Sequence, residues 1–352
     1  MKLLKVLLLS LLVLLLIVGG AIFWVFREIS LPVSHARNSE YITIPRGSSP
    51  DEITKHLASL GVIRRAWPLQ IYMRFQGSAS RLKAGDYRFP SPISPLAVLS
   101  KLEAGQQRLE HFTIIEGWTR WDVAAALSRL PELDTSEQDA LLELMNNTNL
   151  IRDLDPLANN LEGYLYPDTY SFPPSTSAEE IIATMVKRFR QVWIQEQAGK
   201  ATWQNRSVRE IVTIASLIET EAKLKEERPL IASVIYNRLN IDMPLGIDST
   251  VIYASKLAGK WKNDGKVYQS DIDRVSPYNT RRVGGLPPGP VASPAARSLA
   301  AALNPADTDY LFYVRNPSRD DGAHNFYSND SEFQNGVKAL REWERNRDAR
   351  QR

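Results

Sequence analysis

Two glutamates two positions apart, Glu219 and Glu221, sit in the stretch Val208 to Lys225, VREIVTIASLIETEAKLK. A carboxyl can act as a general acid when its surroundings let it hold a proton near neutral pH. The stretch reads as an amphipathic helix, with Ile211, Ile214, Ala215, Ile218 and Ala222 on one face and Thr213, Ser216, Thr220 and Lys223 on the other. On that wheel the two carboxylates point about 160° apart. Glu219 falls toward the polar edge, one turn from Lys223, with which it can pair. Glu221 falls between Ile214 and Leu217, beside the apolar stripe, where loss of hydration raises a carboxyl's pKa. An ordinary surface glutamate on a Glu- and Lys-rich helix shows the same spacing.

Three further segments carry polar groups that such a helix would need around it. In Leu245 to Ala254, LGIDSTVIYA, the residues Asp248, Ser249 and Thr250 stand at the start of a short helix, where capping alone would account for Asp248. In Pro277 to Pro294, Tyr278 and Asn279 precede Gly284-Gly-Leu-Pro-Pro-Gly-Pro290, a stiff, irregular loop suited either to connection or to substrate positioning. In Leu161 to Tyr170, LEGYLYPDTY, Pro167 rules out a helix throughout. Glu162, Tyr164, Tyr166, Asp168 and Tyr170 there form either an aromatic packing loop or a cleft wall that meets sugar faces and hydroxyls.

With IASLIETEAK these segments resemble, in order, the MltG/YceG-like endolytic murein transglycosylase family, over a stretch from the N-terminal apolar run to about Lys338. The resemblance implies a lytic transglycosylase in which the second glutamate of the pair, Glu221, is the catalytic acid. The muramic sugar's own 6-hydroxyl would then attack, so no second carboxylate is required as nucleophile. Substrate contacts are expected from Glu219, Glu162, Tyr164, Asp168, Asp248, Thr250, Tyr278 and Asn279. Ala222 stands where some members carry a small hydroxyl residue. Two rival readings are hydrolysis, with Asp248, Asp168 or Glu162 activating water, and a non-catalytic glycan-binding scaffold that recruits peptidoglycan synthases.

Composition narrows the field. The chain has no cysteine, which excludes disulfides, thiolate metal sites and cysteine nucleophiles. His35, His56, His111 and His324 lack metal-ligand spacing, so neither metal nor cofactor is expected. A net charge of +3 from 43 basic and 40 acidic residues gives no case for a nucleic-acid partner. Val6 to Phe26 runs about 21 positions without a charge, enough to cross ~30 Å of hydrocarbon as a helix. A cleaved signal peptide competes, but the run is long for one and Trp24 and Phe26 continue it. Lys2 and Lys5 favour a cytoplasmic N-terminus, which puts the bulk of the chain in the periplasm and the anchor in the bacterial inner membrane; Arg27 and Arg37 weaken that bias.

The expected organisation is α+β: a cytoplasmic N-terminus (1–5), a transmembrane helix (6–26), a linker (27–40), a LysM-like subdomain (41–110), a catalytic domain around the glutamate-bearing helix (111–340) and a charged tail (341–352). Three strand–turn–helix units follow one another, at Tyr41–Ile44, Ala84–Phe89 and His111–Ile115, each leading into a helix. Trp67, Tyr72 and Tyr87 offer rings either to sugars or to the core. Further helices are expected from Ala178 to about Gln197, from Pro229 to Leu239 and from Ser293, a strand at Tyr310–Val314, and a last helix that frays after Lys338.

Overall fold

A computed structural model describes residues 2–105, 109–131, 133–174, 176–197 and 206–350. The chain forms two compact units, 1–110 with 171–174, and 111–170 with 175–352.

The first unit begins with α1 (Lys2–Ser30), which over Leu7–Ser30 is long and apolar enough to cross a membrane. Its last turn belongs to the globular part, because Ile29 is buried in the core with Leu57, Ile63, Leu69 and Phe89. The strands β1 (Ile42–Ile44) and β2 (Gly85–Tyr87) pair antiparallel, Ile42 opposite Tyr87, and enclose α2 (Pro50–Ser59) and α3 (Ala66–Gln76); α4 (Pro95–Ala104) follows. Local signals set these boundaries. Ser49 and Glu52 form a capping box with Pro50 in the first turn of α2, Ser94 caps α4, and Gly105 closes α4 in the left-handed conformation. The stretch after α1 is tied down rather than free, since Val33 and Ile93 exchange backbone hydrogen bonds of 2.8 and 3.1 Å. Tyr87 lies in the core, whereas Trp67 is exposed.

The second unit comprises β3 (Glu110–Thr113) and β4 (Thr169–Phe172), apart from the boundary residues Glu110, Ser171 and Phe172, together with α5 (Arg120–Leu127), α6 (Gln138–Leu144), α7 (Ala178–Gln197), α8 (Val208–Glu221), α9 (Arg228–Asn240), α10 (Asp248–Leu257), α11 (Gln269–Ile272), α12 (Ala296–Leu303), β5 (Phe312–Arg315), β6 (His324–Tyr327) and α13 (Asp330–Arg350). The third strand–turn–helix unit therefore pairs with β4, the end of LEGYLYPDTY, and not with the other two. β5 and β6 form an antiparallel hairpin, Tyr313 opposite Phe326. The charged C-terminus is helical to Arg350, and Trp343 lies under the guanidinium groups of Arg315 and Arg347; positions 351 and 352 of the expected tail lie outside the described residues.

The central element is α8. Ser207 and Glu210 cap it reciprocally, and every residue from Ile211 to Glu219 is buried. Here the amphipathic reading needs correction. Thr213 and Ser216, assigned to a polar face, are enclosed, and the Ser216 hydroxyl donates to the Thr213 carbonyl and accepts from Val291 N–H. Short hydroxyls satisfy themselves on the preceding turn, which lets the helix bury all its sides. The helix also ends at Glu221, not Lys225, with Ala222 extended at φ −74° and ψ 119°. A helix continued without a break would carry Arg228 about 13 Å along the axis from Glu219. Instead the chain turns through Lys225–Glu227 and starts α9 at Arg228–Pro229, which returns the guanidinium to Glu219 at 2.9 Å.

Candidate active site

The two glutamates of α8 have different surroundings. Glu219 does not pair with Lys223. Its Oε1 accepts from Arg228 Nη2 at 2.9 Å and its Oε2 from the Ala295 N–H at 2.9 Å, at the N-terminus of α12. Arg228 is itself buried and donates to Ser298 Oγ at 3.1 Å. A carboxylate held by a guanidinium and a helix N-terminus is electrostatically satisfied, so Glu219 joins α8, α9 and α12. The expected helix start at Ser293 falls two residues late for the same reason: Ala295 is the cap, and the side chain of Glu219 takes its N–H.

Glu221 is the last residue of α8 and keeps part of its surface open. Its Oε2 accepts from the Tyr313 hydroxyl at 2.9 Å. Loss of hydration raises its pKa, and the nearby Asp248 carboxylate adds to the rise; the Tyr313 hydrogen bond and the charges of His324 and Arg281 oppose it. Asp248 is the first helical residue of α10 and not its cap; it accepts from Arg281 Nε and Nη2 at 2.8 and 2.6 Å. The Thr220 hydroxyl donates to Ser249 Oγ at 2.8 Å and fastens the end of α8 to the start of α10. Behind Tyr313, the His324 ring meets it edge-on at 5.3 Å and is fixed by Glu227 at 2.8 Å.

The residues that follow Glu221 in the chain, Ala222 and Lys223, border a cleft of about 580 Å³ that Glu221 itself does not line. Its walls include Thr113, Glu116, Asp168 and Thr169 on one side and Glu219, Ala222 and Lys223 on the other. Asp168 thus faces open space, while its Oδ2 accepts from Arg188 at 2.8 Å.

The remaining candidates are buried, except Tyr278, which is half-buried. Glu162 is 2% exposed; its carboxylate accepts from the Arg120 N–H at 3.1 and 3.2 Å, at the start of α5, and from the Tyr253 hydroxyl. Burial pushes its pKa up to about 7 against those hydrogen bonds. Tyr164 is enclosed with its hydroxyl on Asp155 at 2.7 Å, and Tyr166 and Tyr170 are buried as well, so the three rings of LEGYLYPDTY pack inward, while Glu162 and Tyr164 also border a small pocket with Asn160, Tyr278 and Pro290. Tyr278 leans on Tyr253 at 4.8 Å. Thr250 shares a hydrogen bond with Thr280, and Asn279 donates to the carbonyls of Ile272 and Arg274; both are fully buried and hold the loop from inside. Arg238 donates to the Leu245 carbonyl at 2.6 Å, in the loop that follows α9, while Asn237 turns to Thr308 and Tyr310.

Sequence reasoning missed Tyr313, Arg281 and Arg228. Tyr313 stood in an expected strand, and alternation puts it on one face, but nothing local says that this face meets α8. A basic pair at Arg281-Arg282 gives no sign of which acid it answers.

The YceG-like family model matches residues 42–339. Over 316 residues the chain is 36% identical to the endolytic murein transglycosylase of Bacillus subtilis (strain 168), covering 85% of each chain. It is 31% identical over 310 residues to the endolytic murein transglycosylase of Streptococcus pneumoniae serotype 2, covering 81% of this chain and 56% of that longer one. The 2.6 Å crystal structure of a YceG-like protein from Listeria monocytogenes aligns with a TM-score of 0.56 at 32% identity, over 84% of this chain and 98% of that one. A likeness that runs through both units, and includes the α8 motif and the loops packed round it, makes this chain a member of the YceG-like family.

Proposed function

We propose that this protein is a membrane-anchored endolytic lytic transglycosylase that cleaves the MurNAc–GlcNAc bond within nascent peptidoglycan strands and leaves a 1,6-anhydro-MurNAc end, so acting in cell wall assembly and glycan chain termination. The observation that carries this reading is Glu221: a part-open carboxyl at a helix end, raised in pKa by lost hydration and oriented by Tyr313. Its neighbour Asp248 is engaged by Arg281 and is no free nucleophile. One working carboxyl suits a reaction in which the substrate supplies the attacking group.

In this mechanism Glu221 gives its proton to the glycosidic oxygen as the bond to C1 of the muramic sugar breaks. Positive charge develops at C1, and the Glu221 carboxylate so formed lies close to it. The 6-hydroxyl of the same sugar then attacks C1, and its proton passes to Glu221. The acid is restored and no water is consumed. Asp168 and the open edge of the cleft would meet sugar hydroxyls, whereas Glu162, Tyr164, Thr250 and Asn279 act by holding the walls.

The span in α1 would place a short N-terminus in the cytoplasm and both units in the periplasm, tethered to the inner membrane near peptidoglycan synthases. The β1–α2–α3–β2 order supports a LysM-like, glycan-binding reading of the small unit, as does a cleft of about 480 Å³ there, bordered by Tyr41, Thr43, Glu52 and His56.

Digestion of purified peptidoglycan by the full chain, read by mass spectrometry, tests the reading. Anhydro-muramic products should appear with the wild type and vanish with Glu221→Gln, at unchanged folded yield. A reducing end without anhydro sugar would replace transglycosylation by hydrolysis, and products that persist in Glu221→Gln would remove Glu221 from the role of acid. A folded wild type that releases nothing from uncrosslinked strands would leave the scaffold reading.

A further inference from the structure

Helix α3 carries an apolar stripe that the core does not use. Trp67, Ile71 and Phe75, one turn apart, are 43, 37 and 88% exposed, while Leu69 and Met73 on the other side are buried. The stripe borders a groove of about 850 Å³ whose opposite wall is the end of α1, from Ala21 to Ile29. Across it the indoles of Trp24 and Trp67 stack with centroids 5.2 Å apart and planes within 14°. An apolar patch of this kind marks a contact with something other than water.

Its height along α1 says what that is. Lys5 is the last charged residue before the apolar run, and at roughly 1.5 Å per residue α1 reaches Trp24 about 28 Å further on. That distance matches the ~30 Å of a bilayer's hydrocarbon. Trp24 and the ring stacked on it therefore lie at the bilayer boundary, where indoles concentrate. Arginines stand near both ends of the stripe: Arg27 follows Trp24 on α1 and Arg65 stands 5.9 Å from the Trp24 ring, while Arg74 lies in the last turn of α3 next to Phe75. Acidic partners accompany two of the neighbouring arginines, Glu28 with Arg64 at 3.9 Å and Asp51 with Arg74 at 3.4 Å, and leave a basic balance suited to lipid phosphates.

We propose that the outward face of α3 is a membrane-binding surface, with Trp67, Ile71 and Phe75 entering the interfacial layer of the leaflet at the C-terminal end of α1. The small unit then lies on the lipid and does not swing from its helix. This inference rests on α1 being a membrane span, as in the function proposed above.

The chain has no native cysteine, so single nitroxides can be placed in the full protein by Leu14→Cys, Ser59→Cys, Ile71→Cys and Phe75→Cys. The labelled protein is reconstituted in vesicles of phosphatidylethanolamine and phosphatidylglycerol, and power saturation compares collisions with oxygen and with a water-soluble nickel chelate. At positions 71 and 75 the oxygen-to-nickel ratio should exceed that at position 59 several-fold, with position 14 higher still. A ratio at 71 and 75 equal to that at 59, with position 14 rich in oxygen, overturns the surface and leaves the span intact. Nickel access at position 14 overturns the span and the surface together. Shielding from both reagents at 71 and 75 overturns the proposal in favour of a protein covering the stripe.

Discussion

Glu162→Gln should make the chain's stability less dependent on pH. In the folded chain burial raises the Glu162 carboxyl from its usual 4.5 to about 7. Between those values the folded state holds a proton that the unfolded state has lost, so stability is fully present below about pH 4.5 and falls as pH rises toward 7. At about 1.4 kcal/mol per pH unit, this amounts to a loss of about 3 kcal/mol by pH 7.5. Glutamine keeps the shape, still accepts from the Arg120 N–H, and carries no charge to bury. Urea unfolding of the detergent-solubilised chain, followed by tryptophan fluorescence at pH 4.5 and 7.5, measures the effect. The variant should gain on the wild type by about 3 kcal/mol between the two pH values, on the scale set above. Groups such as Asp122, whose pKa is lowered, titrate in both proteins and cancel in the difference. A wild-type minus variant difference that stays flat across this range would show that Glu162 is ionised in the fold and refute the reasoning.

Tyr313→Phe removes the donor that stabilises ionised Glu221. The alkaline limb of the cleavage profile should move to higher pH and kcat should fall about tenfold, the scale of one hydrogen bond to a charged group; an unmoved limb counts against the contact. Arg228→Met leaves Glu219 buried with only the Ala295 N–H and should cost about 3–5 kcal/mol. Adding Glu219→Gln should return much of that in thermal unfolding, and strict additivity would deny the pair. Gly163 has φ +83°, and a Cβ there would overlap Pro290 and press on Val212. Gly163→Ala should therefore destabilise by about 2–4 kcal/mol from left-handed strain and overpacking together; a change in melting temperature within error would show that the loop relaxes.

What the sequence by itself determined is local. Ser49 with Glu52, Ser94 before Pro95, Ser207 with Glu210 and Gly105 mark helix ends by chemistry contained within a few residues, and the apolar run from Val6 to Phe26 needs no partner to be read. The α8 motif likewise singled out Glu221 beside apolar neighbours. Tertiary structure decided which carboxylate is enclosed and by what. The wheel treats α8 as having a wet side, but α9, α12 and the loop at Val291 cover it, so Thr213, Ser216 and Glu219 are internal. Glu219 then answers Arg228, whose return depends on a turn after Ala222 that helix propensity alone does not announce. Glu162 and the tyrosines of LEGYLYPDTY had surface and core readings of equal standing, and packing against Asp155, Tyr253 and the Pro290 loop chose the core. Tyr313 reaches Glu221 across 92 positions of chain. Contacts of that separation arise from how whole elements pack, and no local pattern encodes them.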